Sequence, residues 1–367
     1  MNEPKTSVII PVVYATDQAY MRYTLVSMVS ALQYARRDTF YAFTVLVPQD
    51  SGIDQIDINE RLNRFDNYSL RFIEMGNEFA DIPMHISHIT TPTFFRLCIP
   101  GLLEDYDKCI YLDGDTIIYE DLQSLYSLDL KDDYLGGVPA YVYYQKQDEH
   151  RKRLEISNDQ PFQYINAGVL LINLRKLRED KKEEQFLQLI EKNYSSQDQD
   201  ILNVACYGKI QLLPYRYNVM TKYAKWKLED FPSGANPDEI ISGRKYPAII
   251  HYADRVKPWN DYSCSYSNYW LSAAMSGICW DLFPDIPVLK NTPAAFAAIR
   301  KEAEDEKQLA DKRKYDLESK QKEIDRLQYD LDCIHASISF RIGRGVTYLP
   351  RKLRDLSIGD GNSDTDT

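Results

Sequence analysis

Lys108–Cys109–Ile110–Tyr111–Leu112–Asp113–Gly114–Asp115–Thr116 joins an apolar run to two aspartates one residue apart. The run Ile110–Tyr111–Leu112 reads as a buried strand, and Asp-Gly ends it in a turn. In an open α/β sheet, ligands bind beyond the carboxyl ends of the strands. Carboxylates there suit Mg²⁺ or Mn²⁺, which prefer hard oxygen ligands and bridge to phosphates. Taken alone, the stretch also reads as an ordinary turn.

The flanking sequence supplies the rest of such a sheet. Val8–Tyr14, Phe40–Val47 and Leu70–Met75 are further strand candidates, and Tyr20–Ala35 has helical spacing through Leu25, Met28, Val29 and Leu32. Gly136–Pro139 marks a strand edge, and Gln145–Gln160 a polar loop or short helices. Tyr164–Leu174 is strongly apolar, Arg175–Lys192 reads as one charged helix, and Tyr246–Tyr252 is the last core strand. Strands alternating with helices predict an α/β fold with a single, mostly parallel sheet flanked by helices. The turn Ala15–Gln18 has no GxGxxG, which argues against a standard dinucleotide-binding turn.

Composition sets the outer bounds. The 367 residues are 44% hydrophobic and 27% charged, ordinary globular usage. The net charge of −11 disfavours nucleic acid as a partner. The six scattered cysteines form no zinc-like spacing, and no run is apolar enough to cross a membrane. The expected location is therefore cytoplasmic. Tyrosine is in excess, 28 against 13 phenylalanines, and Tyr141, Tyr143, Tyr144, Tyr215, Tyr217, Tyr223, Tyr262, Tyr266 and Tyr269 are read as candidates for the lining of a carbohydrate cleft, with several of them simply core.

Three further motifs bear on chemistry. His251 ends the apolar strand IIHYADRVKPW, where an imidazole completes a metal site or merely caps a strand; Lys257 follows as a phosphate-binding or plain loop lysine. Asn166–Ala167–Gly168 is a tight turn or a polar edge. Asp198–Gln199–Asp200 opens a helix, where the macrodipole alone accounts for acids.

In this order, YLDGDTIIYEDL, YINAGVLLINL, DQDILN and HYADRVKPW closely resemble the signature blocks of glycosyltransferase family eight. These are retaining, metal-dependent enzymes of the GT-A fold, a Rossmann-like sheet; they include bacterial lipopolysaccharide galactosyl- and glucosyltransferases. VVYATDQAY and TPTFFRLCIPGLL resemble the family's nucleotide-binding start and its arginine-bearing helix. The resemblance runs from about Val8 to Trp259. It implies Mn²⁺ (or Mg²⁺) held by Asp113, Asp115 and His251, with Gly114 between the acids. Ala15, Asp17 and Tyr20 would hold uracil and ribose of a UDP-sugar. Arg96, Asn166, Ala167, Asp198 and Gln199 would meet the donor sugar, and Lys257 and the Asp254 N–H the diphosphate. Gln199, Asp198 and Asp200 are the candidates for the catalytic position. An amide is a poor nucleophile, which favours front-face substitution. Two departures stand out: Asp254 replaces a common glycine, and Ala140 follows Val138–Pro139 where an acid is frequent. The implied reaction moves glucose or galactose from a UDP-hexose to a glycan, glycolipid or glycoprotein acceptor. A nucleotidyltransferase or a non-catalytic sugar-nucleotide-binding scaffold are the competing readings.

The expected layout is a catalytic domain at 1–285, a helical or coiled-coil extension at 286–335, and a basic-aromatic segment with a disordered tail at 336–367. Leu317, Ile324 and Leu331 recur every seven residues, a seam for a homo-oligomer over 299–334. Ala336–Arg354 carries Arg341, Arg344, Arg351, Lys352 and Arg354 with no acid, which suits an anionic membrane surface and a peripheral place on the inner face of the cell membrane, or equally docking on the acidic catalytic domain or plain disorder.

Overall fold

The computed structural model describes residues 8–76, 79, 91–275, 279–283, 286, 312, 315, 317 and 319–328. Two compact units divide between Arg300 and Lys301. In the second, 319–328 are helical, and Leu317, Ile324 and Leu327 are exposed. Leu331 and the segment 336–367 lie outside the described residues.

The first unit is α/β. Its strands are β1 (Val8–Ala15), β2 (Thr39–Pro48), β3 (Tyr68–Met75), β4 (Lys108–Leu112), β5 (Thr116–Ile118), β6 (Leu135–Pro139), β7 (Ile165–Asn173), β8 (Ile210–Leu212), β9 (Val219–Met220) and β10 (Ile249–His251). The helices are α1 (Gln18–Tyr34), α2 (Gln55–Leu62), α3 (Pro92–Phe95), α4 (Ile99–Leu102), α5 (Gln123–Tyr126), α6 (Tyr141–Tyr144), α7 (Gln147–Leu154), α8 (Leu174–Glu179), α9 (Lys182–Ile190), α10 (Gln197–Ala205), α11 (Pro237–Lys245) and α12 (Ser267–Ala274).

The main sheet has the order β3-β2-β1-β4-β7-β6-β8. β1 pairs in parallel with both β2 and β4, whereas β7 runs antiparallel between β4 and β6. The order reverses between β1 and β4, and a crevice opens beyond their carboxyl ends. Because β7 runs the other way, it brings its amino end to the same edge.

The single sheet expected from the sequence becomes two. The run ending in His251 joins β5 and β9 in a separate three-stranded sheet. The cause is α1, which packs between the two sheets and is buried along Tyr23–Leu32. A helix enclosed on both sides must pair every polar group it carries inward. Ser27 Oγ bonds Tyr14 Oη on β1 at 3.0 Å and Thr116 Oγ1 on β5 at 2.9 Å, and Ser30 Oγ accepts from Ile118 N–H at 2.9 Å. The Asp17 carboxylate starts this helix by accepting from Tyr20 N–H at 2.9 Å, a cap of about 1 kcal/mol.

The expected Arg175–Lys192 helix is two helices. The chain breaks at Asp180–Lys181, where Lys181 takes a left-handed φ of 51° and Asp180 accepts from Tyr134 Oη at 2.6 Å.

Candidate active site

The crevice at the switch point is a cavity of about 720 Å³, within the usual size of small-molecule sites. It collects Ala15, Asp17, Tyr20, Arg96, Asp113, Gly114, Asp115, Asn166, Ala167, Asp198, Gln199, His251, Asp254 and Lys257. These come from the end of β1 and the start of α1, the segment between α3 and α4, the end of β4, the start of β7, the first turn of α10, and the end of β10 with the loop after it.

The Asp-Gly-Asp loop is held by its backbone. Asp113 N–H donates to Gly168 C=O at 2.8 Å, Thr116 N–H and Oγ1 both donate to Asp113 C=O, and Tyr252 N–H donates to Asp115 C=O at 3.0 Å. Both carboxylates thereby turn to one side. Their side-chain oxygens and an imidazole nitrogen of His251 lie within 4.8 Å of one another. Each acid is anchored by one oxygen and offers the other. Asp113 Oδ1 accepts from Arg96 at 2.8 Å and Tyr111 Oη at 2.9 Å, leaving Oδ2 facing His251 Nε2 at 3.6 Å. Asp115 Oδ2 accepts from Lys257 Nζ at 2.6 Å, leaving Oδ1 at 3.3 Å from the same nitrogen. Two carboxylate oxygens and one imidazole nitrogen form a donor set that fits a divalent cation such as Mn²⁺ or Mg²⁺. Gly168 is obligatory beside it, because a Cβ there would run into the His251 ring and the Asp113 carboxylate.

Arg96, buried, bridges the two acidic motifs. Its guanidinium reaches Asp113 and, at 3.1 Å, Asp198, and donates to the carbonyls of Thr93 and Ala167. Burial pushes the Asp198 carboxyl up to about 7; Arg96 opposes this and Asp113 adds to it. Gln199 Oε1 accepts from Asn166 Nδ2 at 3.0 Å and Ala167 N–H at 3.2 Å. The Tyr20 ring is set edge-on against Tyr23 and Trp259. Its hydroxyl is pushed well above the ordinary tyrosine range by burial and then by Asp115 and Asp113, so it remains a donor.

Three sequence expectations are corrected. Asp200 does not reach the cavity: it is fully buried, bound by Arg153 at 2.7 Å and 2.9 Å, by Tyr164 Oη at 2.5 Å and by Ser196 N–H at 2.8 Å. The Asp254 N–H is not offered to a ligand, since it donates to Tyr252 C=O at 2.8 Å. The tyrosine-lined cleft shrinks to one ring, with more of the set in the core than lining the cavity: of the nine tyrosines named for it, Tyr143 alone lines the cavity. Tyr141, Tyr215, Tyr217 and Tyr223 are core, and Tyr269 packs on Tyr119 and Tyr266. Tyrosine's amphipathic ring fills a core as readily as it lines a groove.

The structure also adds residues that carry no motif. Ser196 and Lys222 line the cavity from outside every quoted block, and burial lowers the Lys222 amine below the ordinary lysine range while Asp254 opposes that. Asn218 stands behind His251, with Oδ1 at 3.1 Å from Nδ1.

The family model described as Glycosyl transferase family 8 matches residues 11–263. A putative glycosyltransferase of Haemophilus influenzae is 27% identical over 56% of this chain and 62% of its own length. A lipopolysaccharide 1,2-glucosyltransferase of Escherichia coli is 30% identical over 43% of this chain and 46% of its own. The chain thus spans less than two thirds of either relative. The solved galactosyltransferase LgtC, in complex with donor and acceptor sugar analogues, superposes with a TM-score of 0.60 at 28% identity, covering 72% of this chain and 95% of that one. The sheet order, the crevice at its switch point and a family match that runs through every strand of both sheets make this GT-A chain a member of glycosyl transferase family 8.

Proposed function

We propose that the protein is a retaining hexosyltransferase. It takes glucose or galactose from a UDP-sugar and passes it to a hydroxyl of a glycan, glycolipid or glycoprotein acceptor. The observation that carries this is the convergence of Asp113 Oδ2, Asp115 Oδ1 and His251 Nε2 beside a cavity of nucleotide-sugar size. The catalytic domain is placed at 1–285, with the extension and the basic segment outside it. Peripheral attachment through Ala336–Arg354 and self-association through 299–334 belong to the same proposal.

A divalent cation at the trio would act as a Lewis acid on the departing diphosphate. The chain's own residues do the rest. Lys257, fixed by Asp115 and the Tyr252 carbonyl, adds a preorganised positive charge at the phosphate end. Tyr20 and Asp17 hold the nucleoside side, and Asn166, Ala167, Asp198 and Arg96 hold the sugar. The bond from the anomeric carbon to the β-phosphate oxygen breaks, and the acceptor oxygen bonds the same face. The acceptor proton passes to the leaving phosphate oxygen. Gln199 Oε1 already carries two N–H bonds, which makes it a weaker nucleophile still and supports the front-face course.

The test is donor hydrolysis and transfer with purified protein, UDP-glucose or UDP-galactose, and Mn²⁺, with the anomeric configuration of the product read by NMR. UDP release that needs the cation, with retained configuration, is expected. Binding without turnover would leave the scaffold reading, and inversion would end the front-face course.

A further inference from the structure

We propose that Asn218 is the positioning residue that fixes which nitrogen of His251 carries the proton. The inference rests on reading Asp113, Asp115 and His251 as a cation site. Two backbone N–H groups, whose direction is never ambiguous, orient the side-chain amides. Ala167 N–H donates to the Gln199 side chain at 3.2 Å, so the atom it meets is Oε1. The same oxygen meets the Asn166 amide at 3.0 Å, which must therefore present Nδ2. Gly168 N–H independently reaches the other Asn166 atom at 3.1 Å, so that atom is Oδ1. Asn218 contacts this Oδ1 at 2.8 Å and must present its own Nδ2. What remains facing His251 Nδ1, at 3.1 Å, is Asn218 Oδ1, and an amide oxygen only accepts.

Nδ1 therefore carries a hydrogen, which leaves Nε2, the nitrogen facing Asp113 Oδ2 and Asp115 Oδ1, as the one that would ligate a cation. Water does not substitute in this relay, because Asn218 is 0% exposed and His251 2%. The fold supplies the register: Asn218 directly precedes β9, whose Met220 pairs with His251 on β10. The relay also ties the Asn166 amide, on the sugar side of the cavity, to the ligand on the cation side.

The experiment uses the full chain with ¹⁵N-labelled histidine side chains, free of metal, at pH 8. The His251 signal is assigned by its loss in His251→Gln. A hydrogen on Nδ1 is expected. An Nδ1 that carries none overturns the proposal. Mn²⁺ affinity is then read by electron paramagnetic resonance. Asn218→Ala should weaken it roughly 10–100-fold. Unchanged Mn²⁺ affinity in Asn218→Ala sinks the proposal. Should that variant fail to fold, the wild-type spectrum still decides. Wild-type protein that binds no Mn²⁺ ends the cation reading instead, an outcome separate from the tautomer result.

Discussion

Asp113–Gly114–Asp115 and Asp198–Gln199–Asp200 are the same pattern in sequence and opposites in space. The first lies in a loop whose backbone bonds turn both acids toward His251. The second lies in the first turn of α10, where residues two apart diverge by about 200° around the helix. Asp198 accordingly lines the cavity against Arg96, while Asp200 points into the protein against Arg153 and Tyr164. An acid pair is a ligand pair only where the backbone makes it so. Two acids at this spacing within a helix cannot share an ion.

The comparison breaks most visibly at the loop. Asp115→Ala removes a ligand oxygen and frees Lys257; Mn²⁺-dependent UDP release should fall on the order of 10³-fold, measured by coupled assay. Activity within tenfold of wild type would mean that the loop pair is no more a ligand pair than the helical one. Asp200→Asn should do the reverse. It breaks a buried ion pair and so should cost roughly 3 kcal/mol by urea unfolding, with turnover per folded molecule nearly unchanged. A large loss of turnover at intact stability would return Asp200 to the chemistry.

Asp198 sharpens the contrast through pH. Its folded-state pKa is raised to about 7, above the ordinary aspartate value, so the stability it contributes is full below the unfolded pKa and is lost as pH rises through 7. Asp198→Asn should therefore gain melting temperature over wild type at pH 8 and show a smaller gain at pH 5. Equal shifts at both values would place Asp198 with the ordinary solvated acids. The smallest effect concerns the segment outside this comparison. Deleting residues 336–367 should abolish binding to anionic liposomes and leave UDP release unchanged; liposome binding that survives removes the membrane proposal.

How much of this was legible varied with the physics involved. Strand runs such as Val8–Tyr14 and Ile110–Leu112 announce themselves by apolar content, and the loop pair by its place at a strand end. The second sheet was not legible, because Ile249–His251 is apolar enough for either sheet and α1's enclosure is a long-range fact. Asp200 looked like Asp198 because a linear pattern does not show which side of a helix an acid takes. Asn218 had no signal at all: an amide relay is a property of four chain segments meeting, not of the Tyr217–Met220 stretch that contains it. The tyrosine excess misled because composition counts rings without saying which face of the sheet they fill.

The antiparallel course of β7 has a consequence for remodelling the enzyme. A parallel strand here would have delivered its far end to the crevice, after a full crossing of the sheet. Instead the connection running from the end of β6 through α6 and α7 empties directly into Asn166 and Ala167. The exposed residues Gln147–Glu149 of this connection can therefore be exchanged without touching the strand that carries Asp113, provided that Arg153 on Asp200 and the buried Leu154 and Phe162 stay in place. The architecture separates an exchangeable entrance from a fixed acidic end.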